Sequence, residues 1–483
     1  MLFNSLQFGI FLPIVFAIYW LMPKRFRWIV LLIASYYFYM SWNVKYVVLI
    51  LGTTFISYVC ALLLERTQSR KLKKLYLTLT LVICLGVLFF FKYFNFMYGS
   101  LVELCRRIAI PLHPITLQLL LPVGISFYTF QTFGYVIDVY RGDVAAEKHF
   151  GKYATFISFF PQLVAGPIER TKNLLPQIIH LRDFQYDKAI YGLKIMAWGF
   201  FKKVAVADTF AVYVDKVYND LEHFTGFSLV LASVLFAIQI YCDFSGYSDI
   251  AIGTAKLFGI DLMRNFKSPY FSASIKEFWS RWHISLSQWF RDYVYIPLGG
   301  NRCGKLRHSF NLFVTFLISG LWHGANWTYV VWGALHGGMQ IVENFLFKRP
   351  KSKKPPVHNA RWGVSVVTVF CLCTVAWVFF RASTLHDAMY VFQHTLAGIT
   401  HPLSYVKTGL TSMGIGMGEA VSLLFSTALL AAYDFADLKT DVIVRVGRCR
   451  KTVVRWLIYV LIFFAIVFLR PVNSGGEFIY FQF

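Results

Sequence analysis

A histidine inside a hydrophobic, aromatic stretch is the strongest chemical signal in this 483-residue chain. His323 lies in the run Leu321–Trp327, with apolar residues on both sides. An ionisable side chain in a membrane segment is costly unless it has a partner or a function. Next to it, Gly324 permits close approach of another group, and Asn326 can hydrogen-bond an imidazole or a substrate. The sequence therefore indicates a functional role for this imidazole.

Metal binding is a second chemistry that the histidines raise. His283, His323 and His336 lie on separate segments, and either Asp243 or Asp249 could complete a ligand set. No HExxH motif or comparable ligand spacing is present. A single histidine in a helix, such as His336, more commonly has a structural role. We therefore predict no metal site.

A glycine-rich stretch comes close to a phosphate-binding loop. Gly299, Gly304 and Lys305 match G-x-x-x-x-G-K, but Leu306 stands where a hydroxyl should reach magnesium. The preceding Tyr293–Pro297 could form a strand, yet no βαβ pattern surrounds it. Nucleotide hydrolysis is therefore not predicted, although the loop could still meet a phosphate-bearing cofactor.

Composition indicates a polytopic membrane protein. Hydrophobic residues make up 57% of the chain and charged residues 15%. The net charge of +23 could suggest nucleic-acid binding. However, Lys and Arg occur in short blocks between apolar runs, the pattern that marks cytoplasmic loops. The sequence thus favours a membrane protein over one that binds nucleic acid.

Apolar runs predict an all-α fold with about eleven to thirteen membrane-spanning or re-entrant helices. Several runs are shorter than the roughly 20 residues of a full span, so tilted or broken helices are expected. The basic residues Lys24, Arg25 and Arg27 place the first loop in the cytoplasm and the N-terminus outside. The predicted helices lie near residues 8–21, 28–41, 44–64, 75–93, 121–139, 190–212, 226–247, 309–322, 326–346, 364–380, 417–434 and 454–470.

Two long stretches do not fit the spanning pattern. Residues 140–189 carry prolines and scattered charge, and either amphipathic surface helices or segments inside the membrane would explain them. Residues 248–308 mix aromatic residues with a dense set of polar side chains. For this second stretch we predict burial towards a central cavity rather than an interfacial helix.

Four motifs, in order along the chain, resemble the membrane-bound O-acyltransferase family. They are Phe160–Ile168, Tyr241–Asp249, Phe278–Ser287 and Trp322–Gly324. The resemblance is strongest over about 121–345 and extends from the N-terminus to about 380. Two further segments are similar to the bacterial branch that acetylates exported polysaccharides, which includes the membrane subunit of alginate O-acetylation: Met1–Ser5 and Arg291–Asn301.

The resemblance implies a ring of helices around a central cavity that is open to each side of the membrane. The whole of 1–483 would be a single integral membrane domain. N-terminal helices would occupy 1–120, the catalytic core 121–345, and C-terminal helices 346–483.

The resemblance also implies roles for individual residues. His323 matches the catalytic histidine, and His283 matches a second His or Asn that faces the same cavity. A buried neutral imidazole can remove the proton of a hydroxyl group as it attacks a thioester, so we expect His323 to be the general base. We expect His283 or Asn326 to orient the acyl carbonyl, with Trp322 and Asp243 in supporting positions.

The implied donor is acetyl-CoA, an acyl-CoA that is made in the cytoplasm. We expect no metal cofactor. Its anionic part would be attracted to basic residues such as Arg281, Arg291, Arg302 and Lys305. These residues could instead simply mark a cytoplasmic loop.

The implied setting is the cytoplasmic membrane of a bacterium, where the chain would contact membrane lipids. The resemblance implies that an extracytoplasmic acyltransferase or acceptor protein of the SGNH type receives the acyl group. Because no GxSxG elbow is present in the sequence, we expect this partner to be a separate protein. A polysaccharide would be the final acceptor. The alternative is a transporter of a polymer or lipid-linked sugar, which would move its substrate without acyl transfer.

Overall fold

The structure, a computed structural model, describes residues 1–164, 166–346, 359–469 and 478–479. Its regular elements are helices, and these ranges contain no β-strand. The all-α prediction is confirmed. Ala165, inside one of the four motifs, and residue 470, at the end of the last predicted helix, lie outside the described residues.

Each predicted apolar run lies on a helix. The first helices are α1 (Leu6–Leu21), α2 (Arg27–Met40), α3 (Val47–Arg66), α4 (Arg70–Leu88), α5 (Phe94–Arg107), α6 (Ile125–Arg141), α7 (Phe150–Ser158), α8 (Phe160–Leu163), α9 (Thr171–Ile179), α10 (Tyr186–Phe200) and α11 (Asp208–Tyr218). The remainder are α12 (Phe227–Leu257), α13 (Ile275–Arg281), α14 (Ile284–Phe290), α15 (Lys305–His323), α16 (Trp327–Leu346), α17 (Ala360–Arg381), α18 (Leu385–His394), α19 (Pro402–Met413), α20 (Met417–Asp437), α21 (Val442–Gly447) and α22 (Thr452–Phe468).

Some helices are longer or more numerous than the apolar runs predicted. A π-helical turn joins α4 to α5, so this rod continues to Arg107. Helix α12 reaches Leu257, ten residues past the predicted end. Helices α18, α19 and α21 were not predicted because each is short and carries polar residues among its apolar ones.

Five helical segments within the described residues are long and apolar enough to cross a membrane. Helices α1 and α22 are apolar but shorter. The chain is therefore a multi-pass membrane protein, and the number of crossings stays a prediction. The five segments are Val44–Arg66, Arg70–Arg107, Phe227–Leu257, Ala360–Arg381 and Met417–Asp437.

The described chain divides into two compact units. The first comprises Met1–Leu193 with Ile250–Met263, and the second comprises Lys194–Asp249 with Arg264–Phe483. The single integral membrane domain with three successive parts stays a prediction.

In the first unit, α2 packs on α7, and α3 packs on α4 and α6. The Tyr19 hydroxyl donates to the Phe258 carbonyl at 3.0 Å. This hydrogen bond connects the end of α1 to the residue that follows α12. Residues 153–164 are buried throughout. The surface-helix interpretation of 140–189 therefore does not describe α7 and α8, because these two helices form part of the core.

In the second unit, α15 packs along α16 through glycines. A Cβ at Gly320 would lie 2.2 Å from the Tyr329 carbonyl oxygen, and one at Gly333 would lie 2.4 Å from the Phe316 oxygen. Such distances leave no room for a methyl group. The two helix backbones can approach this closely because both positions are glycine.

The stretch 248–308 folds into short helices rather than a strand. After the end of α12 come α13, α14 and a π-helical turn at Arg291–Tyr295. The possible strand at Tyr293–Pro297 is therefore wrong. Phe278, Trp282 and Leu286 are buried, but most residues of 291–308 are exposed or only partly buried, so the predicted burial holds for the first part of the stretch alone. A central cavity stays a prediction.

Candidate active site

His323 is the last residue of α15, and its side chain is buried with 2% exposure. Aromatic rings surround the imidazole. The ring centroids of Trp322 and Trp332 each lie 5.0 Å away, and that of Phe380 lies 5.4 Å away. The glycine contacts between α15 and α16 fix the end of α15 and hence the position of this imidazole.

Gly324 ends α15 directly after the histidine. Its backbone is extended, and a Cβ here would lie 2.1 Å from Cε2 of Tyr329. The absence of a side chain thus lets the chain leave the helix against this tyrosine ring. The sequence predicted a close approach at Gly324, and the neighbour is the Tyr329 ring.

His283 occupies the turn between α13 and α14 and is fully buried. Its φ of 41° lies in the left-handed region, which is uncommon for a residue with a side chain. Backbone strain of this kind persists only where neighbouring contacts enforce it. Burial lowers the pKa of His283 to about 3, so its imidazole is neutral near pH 7.

Asn265 holds this strained turn in place. Its carbonyl accepts a hydrogen bond from the Ile284 amide at 2.9 Å, and its Oδ1 accepts from the Ser285 hydroxyl at 2.9 Å. The Asn265 Nδ2 donates to Ser248 on α12 at 3.3 Å. Because Asn265 is itself fully buried, these contacts form a rigid support for His283.

The two histidines come together in the second unit. Their ring centroids are 6.3 Å apart, with an angle of 55° between the ring planes. Trp322 contacts both, at 5.0 Å from His323 and 6.0 Å from His283. A neutral imidazole can accept the proton of a hydroxyl group, and a second one can orient the group under attack. The geometry therefore suits acid–base chemistry.

Asp243 lies in a buried ion-pair cluster rather than against an imidazole. Its Oδ1 pairs with Lys203 at 2.6 Å, and its Oδ2 accepts from the Ile479 amide at 2.8 Å. Lys203 also pairs with Asp208 at 2.8 Å. The adjacent Phe244 contacts the His283 ring at 4.6 Å. The ion pair thus anchors the part of α12 that carries Phe244. A supporting role of Asp243 in the site stays a prediction.

The Asn326 side chain makes two hydrogen bonds at the start of α16. Its Oδ1 accepts from the Thr328 amide at 3.1 Å, and its Nδ2 donates to the Ser383 carbonyl at 2.8 Å. These contacts cap the helix and anchor the link that follows His323. A direct contact between Asn326 and a substrate stays a prediction.

The two predicted donor-binding arginines each have a carboxylate partner. Arg281 pairs with Glu277 at 2.7 Å, one turn earlier in α13. Arg291 pairs with Asp292 at 2.7 Å. Their contact with the donor stays a prediction.

His336 is buried beside this site and bonded to an indole. Its Nδ1 lies 3.3 Å from the Trp279 Nε1, which donates to it, and Trp332 packs between this ring and His323. Across the described ranges, no group of three or more His, Cys, Asp or Glu side chains could hold a metal ion. Gly304 of the glycine-rich loop caps α15.

Sequence reasoning missed the residues that support the two imidazoles. Asn265 and Phe244 shape the surroundings of His283, and Phe380 packs on His323 from a helix distant in sequence. Phe244 lies within the motif Tyr241–Asp249, so the sequence contained a signal that could have identified it. Asn265 and Phe380 lie outside the motifs, so only the fold identifies them.

Comparison with known proteins finds a matching family and several relatives. The profile of the membrane-bound O-acyltransferase family matches residues 144–384. A probable alginate O-acetylase AlgI of Pseudomonas aeruginosa is 41% identical over 86% of this chain and 79% of its own length. The protein of that name from Pseudomonas putida is 37% identical over 100% of both chains. A peptidoglycan O-acetyltransferase of Helicobacter pylori is 36% identical over 81% of this chain and 79% of its own.

These matches include the segments that carry both histidines, and they cover most of the chain. Together with its apolar helices, they make the chain an enzyme of the acyl-transfer class. The chain belongs to the membrane-bound O-acyltransferase family.

Proposed function

We propose that this enzyme moves an acetyl group from cytoplasmic acetyl-CoA across the membrane for O-acetylation of an exported or cell-wall polysaccharide. The buried pair of His283 and His323, with ring centroids 6.3 Å apart, is the observation that carries the proposal. The names of the relatives from Pseudomonas and Helicobacter support a polysaccharide acceptor. The acetyl group would cross by transfer while the coenzyme stays on the cytoplasmic side.

In this proposal, His323 acts as the general base. The acceptor hydroxyl oxygen bonds to the thioester carbonyl carbon, and the carbon–sulfur bond breaks. The hydroxyl proton passes to the imidazole and then to the departing thiolate, which leaves as free coenzyme A thiol. Trp332 and Phe380 pack against the His323 imidazole and would hold it in place for this step.

His283 would assist at the carbonyl. Because its imidazole is neutral, one ring nitrogen carries a proton that can stabilise the developing oxyanion. Trp322 contacts both rings and would keep them at a fixed separation. Asn326 would hold the link after His323 through its contact with Ser383.

The remaining parts of the proposal concern the setting. Arg281 and Arg291 are proposed to attract the anionic part of the donor. An extracytoplasmic SGNH-type protein is proposed to accept the acyl group and pass it to the polymer. The enzyme would lie in the bacterial cytoplasmic membrane, with the first basic loop on the cytoplasmic side.

Transfer of labelled acetyl groups tests this function. Membranes that contain the enzyme and a candidate partner receive radiolabelled acetyl-CoA, and label on partner or polymer is measured. We expect transfer by the parent and its loss in His323→Ala. The matched control is His401→Ala, which removes an exposed histidine at the start of α19 and should leave transfer unchanged.

Two results would contradict the proposal. Transfer that persists in His323→Ala at equal expression would reduce this residue to a structural role. Movement of a sugar or polymer without acetyl transfer, unaffected by His323→Ala, would favour the transporter.

A further inference from the structure

Three basic side chains of the first unit converge on one carboxylate. Asp261 follows α12, and its Oδ2 lies 2.6 Å from the Lys188 Nζ and 3.2 Å from an Arg182 nitrogen. Its Oδ1 lies 2.8 Å from the Lys256 Nζ. Three positive charges against one negative charge leave this cluster, which we call the Asp261 cluster, with a formal charge of +2.

The excess charge is partly removed from water. The side chains of Lys188 and Lys256 are 12% and 18% exposed, whereas those of Asp261 and Arg182 are 40% and 50% exposed. Burial, together with the neighbouring Arg182 and Lys256, lowers the pKa of Lys188 despite its contact with Asp261. A cationic cluster of this kind gains from a further anion, and its exposed side is where an anion can arrive.

The carboxylate sits on a rigid platform. The Asp261 amide donates to the Gln177 Oε1 at 2.9 Å, and its carbonyl accepts from the Gln177 Nε2 at 2.9 Å. One turn away on α9, Asn173 donates to Glu169, which also accepts from the Met263 amide. These contacts fix the backbone at Asp261 and Met263, so the carboxylate that the three cations share is held in place.

The surroundings add positive charge and an aromatic surface. Arg27 donates to the Arg182 carbonyl at 3.3 Å, and its guanidinium stacks over Trp20 at 4.6 Å. In contrast, Lys24 is balanced by Asp183 at 3.0 Å. Arg281 and Arg291 each have a carboxylate partner of their own, whereas the three cations of the Asp261 cluster share one carboxylate.

We propose that the Asp261 cluster binds a phosphate group. A phosphate carries up to two negative charges and several acceptor oxygens, which matches the excess charge and the donors of Arg182, Lys188 and Lys256. The phosphates of the acyl-CoA donor are one source, and this assignment rests on the proposed function. The headgroup of an anionic lipid is the other source, because basic clusters near a membrane surface recognise it as well.

Charge variants with opposite expected effects test the site. Purified enzyme is titrated with acetyl-CoA, acetyl-pantetheine and inorganic pyrophosphate at low salt. Arg182→Gln should weaken acetyl-CoA and pyrophosphate binding about two- to fivefold, whereas Asp261→Asn should strengthen it by a similar factor. Acetyl-pantetheine, which lacks the coenzyme phosphates beyond the arm, should be unaffected. Lys24→Gln, which removes a balanced charge, is the matched control.

The lipid source is tested by thermal unfolding of the same variants in detergent with phosphatidylglycerol or phosphatidylcholine. Loss of phosphatidylglycerol stabilisation in Arg182→Gln, with acetyl-CoA binding unchanged, would assign the site to a headgroup. Weaker binding in both Arg182→Gln and Asp261→Asn would overturn the phosphate site, and so would unchanged titrations together with unchanged phosphatidylglycerol stabilisation. If Asp261→Asn does not fold, Arg182→Lys, which keeps the charge, should bind like the parent.

These binding measurements require no acyl transfer, so they separate the two proposals. Variants that shift binding in an enzyme without transfer activity would refute the proposed function and keep the phosphate site. Variants that leave acetyl-CoA binding, pyrophosphate binding and phosphatidylglycerol stabilisation all unchanged in an active enzyme would refute the phosphate site and keep the proposed function.

Discussion

Gly320→Ala should separate α15 from α16 and displace His323. The new methyl carbon would lie 2.2 Å from the Tyr329 carbonyl oxygen and 3.2 Å from the Gly333 Cα. Both neighbours are backbone atoms, so no side chain can turn aside to relieve the clash. Ordinary contact begins at 3.4 Å, which requires a local displacement of about 1.2 Å.

The expected effect on activity is larger than the effect on stability. Overpacking by one methyl group typically destabilises a protein by about 1–3 kcal/mol. A displacement of about 1 Å at a reacting group can lower the rate about 10²-fold. Because His323 lies one turn after Gly320, we expect acetyl transfer to fall by about that factor in protein that remains folded.

The assay measures labelled acetyl transfer at equal amounts of folded protein, with the fold checked by thermal unfolding. Gly338→Ala is the matched control, because it lies on α16 and a Cβ there meets nothing within 4 Å. Gly320→Ala that transfers acetyl groups as fast as Gly338→Ala would refute the claim that this helix contact positions the imidazole.

Three further predictions concern stability and the support of the site. The pKa of His283 is about 3 in the folded state and about 6.5 in the unfolded state, so the unfolded state binds more protons between these pH values. The free energy of unfolding should therefore fall as the pH drops from about 6.5 to 3. Thermal unfolding should show a shallower fall in His283→Asn, and an identical fall would contradict the burial argument. Asp243→Ala leaves the buried Lys203 paired with Asp208 but removes the acceptor of the Ile479 amide, so it should cost about 1–3 kcal/mol. Lys24→Ala breaks an exposed pair and should cost at most about 1 kcal/mol in the same unfolding assay. Asn265→Ala should release the strained turn and slow acetyl transfer while acetyl-CoA binding is retained, and a parental rate would show that the turn holds without it.

The helical architecture was predictable because apolar runs dominate the chain. Every predicted run overlaps a helix, and Lys24 and Arg25 lie between α1 and α2 while Arg27 begins α2. The full length of α12 was missed because Ser248, Asp249 and Lys256 interrupt the apolar run, although the helix continues to Leu257. Short helices such as α13 and α14 were missed because seven residues are too few to show a periodic pattern.

The candidate site was predictable in part. The motifs contain both histidines, and the fold brings His283 and His323 to a ring separation of 6.3 Å. The partner of Asp243 was not predictable, because Lys203 lies 40 residues away and turns inward within a π-helical segment. The capping contact of Asn326 depends on Ser383, which is likewise distant in sequence. Contacts of this kind depend on tertiary packing rather than on local pattern.

The role of His323 as general base is the central claim, and a single-turnover measurement tests it most directly. Enzyme saturated with acetyl-CoA is mixed with the acceptor, and the transfer rate is compared between the parent and His323→Gln, with acetyl-CoA binding measured on both. Loss of a general base typically lowers a rate about 10²- to 10⁴-fold, so we predict a fall of that size with binding unchanged. A transfer rate in His323→Gln equal to that of the parent would contradict the account.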